Sequence, residues 1–370
     1  MTASIQGFVR RDGSVGLRNH VLLIPTVTCS AVVCDRIAEA VDGCVAIPHQ
    51  HGCSQIGADA EHTFDALYGM GANPNVGAVL VVSLGCEVVD GIRLSEALAR
   101  TGKPVEFLRI QDEGGSLRTI EKGGTLARRL RADVARQHRE PVDWSGLRIG
   151  VKWGDGLHGF PGHPAPAVKA LQALLAEGCG VILGEIEKIV HCIAPARFSP
   201  STWNDLMALW RALVPSDSAL IDIPEPAATP AASSDAAADW AYPDVFDAPV
   251  ASASSFTAPI VGPGLHVTNT PCSDVESLTS LATAGANVAI FFSGGPSPVG
   301  SPIMPVIKLG RHDADPLWTD HVDLDFTGSP DADLVRRLLD LVGDVAQGRL
   351  TASECLGHQE FSIHRFGLSL

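Results

Sequence analysis

The apolar positions of this chain change period repeatedly, from unbroken β-rich runs to stretches spaced like one face of a helix. Val21-Leu22-Leu23-Ile24-Pro25-Thr26-Val27 reads as a buried strand, and Ala31 to Val41 as the helix that follows it. Val79 to Leu84 is a second apolar run, Ser95 to Arg100 a helix, Val105 to Ile110 a strand, and Thr119 to Arg139 a long basic helix. This alternation predicts an α/β fold with a mostly parallel sheet covered by helices. Glu140-Pro141-Val142-Asp143 reads as a break, dividing the chain into domains 1–143 and 144–370.

Beyond the break the alternation restarts. Leu147 to Lys152, Gly180 to Leu183, Leu265 to Thr268 and Val288 to Phe292 read as strands, with helices ending at Glu177 and running from Asp274 to Ala284. Leu334, Val335, Leu338, Leu341, Val342 and Val345 recur at helical spacing, so Asp331 to Gln347 is an amphipathic helix. The Pro/Ala/Ser-rich stretch 224–263 has little periodicity and reads as a low-complexity surface excursion.

Composition narrows the function classes. With 370 residues there is length for two cored domains, and 27 Lys plus Arg against 42 Asp plus Glu give a net charge of -15. That charge opposes binding to nucleic acid or an anionic membrane, and an anionic substrate needs a local positive site. No apolar run reaches the length of a membrane span. The nine Cys form no regular framework and no leader pattern opens the chain, which points to a reducing cytoplasm.

Candidate chemistry gathers at predicted strand ends. Pro48-His49-Gln50-His51-Gly52-Cys53 delivers two imidazoles and a thiol into one turn, and Gly85-Cys86-Glu87 follows the Val79 run in the same way. His-x-His-x-Cys offers three borderline-soft donors to one cation, so the two turns read as one cleft. Glu185 and Glu187 stand two apart at the end of another strand and share a side if that strand continues. Gly294-Gly295-Pro296-Ser297-Pro298-Val299-Gly300 is a loop able to cradle an anion with backbone N–H groups. Neither a Walker A motif nor an intact GxGxxG after the first strand is present, which disfavours a nucleotide-dependent oxidoreductase.

Several ordered motifs together resemble the altronate/galactarate dehydratase family, which includes sulfolactate sulfo-lyase large subunits. They are the opening Gly7 to His20, Thr26-Val27-Thr28-Cys29, His49 to Cys53, Asn73-Pro74-Asn75-Val76, Leu84-Gly85-Cys86-Glu87 and Ile110 to Gly115. Pro298 to Pro302, Pro305-Val306-Ile307-Lys308 and Glu354 to Phe361 resemble its closing motifs. The likeness departs where the family carries a Cys-Gly-Gly-Ser-Asp loop and this chain has Trp153-Gly154-Asp155-Gly156.

The resemblance implies a dimerising domain over 1–143 and a Rossmann-like variant over 144–370. It implies a lyase of the dehydratase type that eliminates water from a small hydroxy or sugar acid to give a 2-keto acid. The alternatives are sulfite release from sulfolactate and a catalytically reduced partner subunit. It further implies ferrous iron, or Mn2+ or Zn2+ in its place, a homodimer, and a separate small β-rich subunit as partner. On this reading His49, Cys53, Cys86 and Glu87 hold the metal, and His51, Glu185 and Glu187 act in catalysis. Arg18, Asn19, Gln111 and Asp112 bind the substrate, with Arg18 gripping its carboxylate.

Overall fold

The computed structural model describes residues 5–55, 57–154, 165–192, 198–213, 248–294, 297–310, 316–325 and 331–365. The first half forms β1 (Ile5–Val9), β2 (Val15–Gly16), β3 (His20–Pro25), α1 (Thr28–Glu39), β4 (Cys44–Ala46), α2 (Ala58–Ala72), β5 (Val76–Ser83), α3 (Gly91–Ala99), β6 (Val105–Arg109), α4 (Ser116–Val134) and β7 (Glu140–Val142). Strands β4-β3-β5-β6 make a wholly parallel sheet. Every residue of β5 is buried, as expected of a parallel strand covered on both faces.

The segment expected to be a break is instead a strand. Glu140, Pro141 and Val142 pair antiparallel with Gly7, Gln6 and Ile5, closing a small sheet of order β2-β1-β7. Pro141 is tolerated because β7 is an edge strand, where a missing N–H breaks no inner ladder.

The second half comprises β8 (Arg148–Trp153), α5 (Ala165–Ala176), β9 (Gly180–Leu183), α6 (Ile186–Cys192), α7 (Pro200–Leu213), β10 (Val250–Ser254), β11 (Gly264–Thr268), α8 (Asp274–Thr283), β12 (Val288–Gly294), β13 (Val306–Gly310), β14 (Leu324–Asp325), α9 (Asp331–Ala346) and α10 (Ala352–Leu356). Seven parallel strands take the order β10-β11-β9-β8-β12-β13-β14. The chain builds outward from β8 to one side, then returns to place β12 on the other. Strand ends beside such a reversal form a crevice. Within the expected excursion, Val250–Ser254 is a sheet strand beside β11, while 224–247 lies outside the described residues.

The halves share a core. Leu22, Ile24, Phe64 and Met70 of the first join Ile182, Leu281, Phe291 and Ile303 of the second in one apolar cluster. Three asparagines fasten its edge. Asn73 donates to Ala282 and Ala286 carbonyls, and Asn75 donates to those of Asn287 and Ile303 while accepting from Leu17 and Arg18 N–H groups. Asn287 in turn donates to Val15 and Gly146. The Asn73-Pro74-Asn75 motif is thus a fastener between halves. Among the described residues no helix is long and apolar enough to cross a membrane.

Candidate functional site

The turn after β4 is held by its own imidazoles. His49 accepts the His51 N–H on Nδ1 at 3.1 Å, so its Nε2 carries the proton and donates to the Pro25 carbonyl at 2.7 Å. Burial holds His49 down at about 4, and the neutral ring spends both nitrogens on the backbone. Gly52 has φ 93 and lies against the Thr26 carbonyl, where a side chain would collide with the main chain. His51 is held between the Ile363 carbonyl, 3.1 Å from Nε2, and the Gln55 amide, 3.3 Å from Nδ1; burial also lowers its pKa.

The second turn lies beside the first, with the Val88 N–H donating to the Gly52 carbonyl. Glu87 accepts from Thr26 Oγ1 and the Leu84 N–H on one oxygen, and from the Gly85 N–H on the other. Burial alone would raise its pKa, but hydrogen bonds from Ser83, Thr26 and Gly85 bring it below the ordinary carboxylate value. Cys53 and Cys86 are exposed. The two turns lie side by side, yet the expected metal set does not present its donors. His49 and Glu87 are committed to holding the turns, and among the described residues no three His, Cys, Asp or Glu side chains are grouped to hold a metal ion. The residues as placed do not fit the iron that the resemblance implies.

Of the residues expected to bind substrate, Arg18 and Asn19 are spent on architecture, while Gln111 and Asp112 are exposed. All five N–H groups of Arg18 have acceptors inside the protein: both Glu354 oxygens and the carbonyls of Leu17, Val345 and Arg349. Asn19 accepts from Arg10 and donates to the Val134 carbonyl. Asp112 pairs with Arg109 at the surface, and the Gln111 side chain lies over Gly85.

A second constellation stands at the ends of β8, β9 and β11. The condition for Glu185 and Glu187 to share a side is not met, because the strand ends at Leu183; Glu185 has φ 57, and the chain turns there into α6. The two carboxylates therefore part. Glu185 is fully buried, taking Lys152 Nζ at 2.8 Å and Lys188 Nζ at 2.6 Å on Oε1, and the Trp153 N–H at 2.8 Å on Oε2. Its own N–H donates to Thr270 Oγ1 at 2.6 Å, which fixes the strained residue to the end of β11. Lys152 is fully buried as well and also meets Asp274 Oδ1 at 3.1 Å. Burial would lower its pKa, but Glu185 and Asp274 raise it, so the ammonium persists. Glu187 is half-buried and takes the Cys272 thiol at 3.0 Å on Oε2, leaving Oε1 without a bonded partner among the described residues.

The sequence pattern places Lys152 at a strand end and Lys308 in a closing motif but assigns neither a role in the site. The available signal was a lysine inside an otherwise apolar strand, at Val151-Lys152-Trp153 and Ile307-Lys308-Leu309, since a buried lysine is rare unless it has a task. In parallel register both stand opposite Phe291, one on each side of β12.

Two family models match the chain: the second domain of D-galactarate dehydratase/altronate hydrolase over residues 7–135, and the D-galactarate/altronate dehydratase C-terminal domain over 245–369. The (2R)-sulfolactate sulfo-lyase subunit beta of Chromohalobacter salexigens is 30% identical over 97% of this chain and 96% of its own length. The chain belongs to this family. Altronate dehydratases of Bacillus subtilis and Escherichia coli are 25% and 26% identical, each over 99% of this chain and 78% of their own length. As a member of this family of lyases, the protein is consistent with a carbon–oxygen lyase.

Proposed function

We propose that the protein eliminates water from a small 2,3-dihydroxy acid to give a 2-keto acid, with the reacting carbons in the crevice at the ends of β8, β9 and β11. The strand order supports reading the second half as a Rossmann-like variant whose crevice is the usual ligand position. The observation that carries the mechanism is the Glu187 carboxylate. It is half-buried, has no bonded partner on Oε1 among the described residues, and sits two residues from a saturated ion network.

Glu187 takes the proton from the carbon next to the substrate carboxylate. The electron pair of that C–H bond moves toward the carboxylate, the C–O bond at the neighbouring carbon breaks, and the hydroxyl leaves as water with the proton that Glu187 took, which restores the Glu187 carboxylate. The enol tautomerises to the 2-keto acid. Glu185, with both oxygens occupied, is a positioning residue. It fixes Lys152, Lys188 and the turn that aims Glu187, since a displacement near 1 Å costs roughly a hundredfold in rate. His51 can accept a proton only by releasing Gln55, so it is the weaker base candidate.

The near-complete overlap with a sulfo-lyase subunit supports a second reading. There sulfite takes the place of water as the leaving group, and a second subunit joins the chain. The test is 2-keto acid release from a panel of sugar acids and from sulfolactate by the purified chain, with and without ferrous iron. Keto acid from a sugar acid supports the first reading, sulfite release the second, and no turnover of any acid by the chain alone removes the first.

A further inference from the structure

Lys308 is a fully buried ammonium with few partners among the described residues. Its Nζ donates to the Ser297 carbonyl and has no other bonded partner among the described residues, and no carboxylate stands within ion-pair distance there. The carboxylates that act on its charge do so through space: Asp323, whose Oδ2 is occupied by the Lys308 main-chain N–H at 2.8 Å, Glu360 and Asp274. Lys152, by contrast, is saturated by Trp153, Glu185 and Asp274. A buried cation without a bonded counter-charge is costly, and the chemistry that relieves the cost is an incoming anion.

The surroundings are those of a site. Lys152 and Lys308 flank Phe291 on one face of the sheet, about 10 Å apart at the backbone from two strand spacings. The strap Ser297–Ser301 runs against the chain end, with Gly300 donating to Glu360 Oε2 at 2.8 Å and lying on His358. Two buried atoms along it have no hydrogen-bond partner among the described residues, Ser301 Oγ and His358 Nδ1. His358 feels the Lys308 charge and, lowered first by burial, stays neutral.

We propose that Lys308, with the Ser297–Ser301 strap and His358, anchors the carboxylate of the substrate at the carbon that loses its proton. For the identity of its ligand the proposal rests on the lyase reading. An ammonium at this place meets the charge that develops on that carboxylate, so it stabilises the transition state more than the ground state. It also supplies the local positive site that a chain of net charge -15 requires for an anionic substrate.

The probe is oxalate, a planar dianion of the size of the enediolate, titrated calorimetrically into the full chain at pH 7. Binding to the wild type, weakened at least tenfold in Lys308→Met and restored in part by Lys308→Arg, is the expected result. No oxalate binding to the wild type, or binding to Lys308→Met within twofold of wild type, overturns the anchor. If Lys308→Met does not fold, the wild-type pH profile decides. Lys308 is lowered by burial to about 8, and the other charged or titratable groups that face it are Asp274, Asp323, Glu360 and His358, the last lowered first by burial. Oxalate affinity therefore falls between pH 7 and about 9.5, and a flat profile overturns the proposal. Oxalate binding that needs Lys308 in a chain that turns over no acid removes the lyase reading and keeps the anchor. Turnover with unchanged KM and kcat in Lys308→Met does the reverse.

Discussion

The Arg18 guanidinium grips both oxygens of Glu354, Nε to Oε1 at 2.6 Å and Nη2 to Oε2 at 2.8 Å, across 336 residues of chain. Glu354 also closes the capping box of α10 with Thr351, and Arg18 adds the carbonyls of Val345 and Arg349, so one pair ties the start of β3 to the end of α9. Burial would raise the Glu354 pKa, but the Arg18 contact brings it below the ordinary value. Arg18→Ala leaves a largely buried carboxylate and three carbonyls without their partner. It is expected to cost about 3–5 kcal/mol in urea unfolding. A change under about 1 kcal/mol would remove the assignment of Arg18 to architecture and return it to substrate binding.

Glu185 and Glu187 are expected to separate cleanly on substitution. Glu187→Gln keeps its contacts at the half-buried rim, so the unfolding midpoint stays near wild type while turnover falls by roughly 10²–10⁴. Glu185→Gln removes the buried charge that Lys152 and Lys188 share and lowers stability by about 3–5 kcal/mol. The pair is checked by steady-state kinetics beside unfolding curves. Equal stability losses in both variants would mean that Glu187 is as structural as Glu185.

Two buried histidines make the fold acid-sensitive. Burial lowers His49 and His62 from 6.5 to about 4, so between these values the unfolded chain binds protons that the folded chain does not. Stability contributed by the neutral rings is present above pH 6.5 and is lost as pH falls toward 4, at roughly 1.4 kcal/mol per pH unit for each proton. Urea midpoints at pH 7.5, 5.5 and 4.5 measure this. His62→Phe should flatten the dependence, and an unchanged slope would show that His62 titrates normally.

The thiols sort by depth. Cys53 and Cys86 are exposed, whereas Cys34 and Cys179 are buried, with burial pushing the Cys179 thiol up to about 12. Native protein is expected to alkylate at Cys53 and Cys86 within minutes and at Cys34 and Cys179 only on unfolding. Mass spectrometry of peptides reads the order. If ferrous iron protects Cys53 and Cys86 from alkylation, the turn is a metal site after all.

Much of the architecture was legible in the sequence. The apolar runs at Val21, Val79, Leu147 and Val288 are strands because a parallel strand covered on both faces needs side chains that are apolar throughout, a pattern that survives without any knowledge of its neighbours. The turns at His49 and Cys86 were legible as places where two strand ends meet, and they do meet.

The use of each polar group belonged to the tertiary structure. A sequence displays Arg18, His49 and Glu87 as donors and acceptors but not which carbonyl or amide lies opposite, and those partners come from positions as far away as 336 residues. The kink at Glu185 hid in the same way, because a left-handed residue is held by Thr270 from another strand and not by its own neighbours. Lys152 and Lys308 stand in two apolar strands 156 residues apart by number. Only the register that sets both opposite Phe291 makes them one feature. Pattern along the chain fixes which residues are buried, because burial is a property of periodicity; what a buried charge faces is decided by strand order and register, which local sequence does not encode.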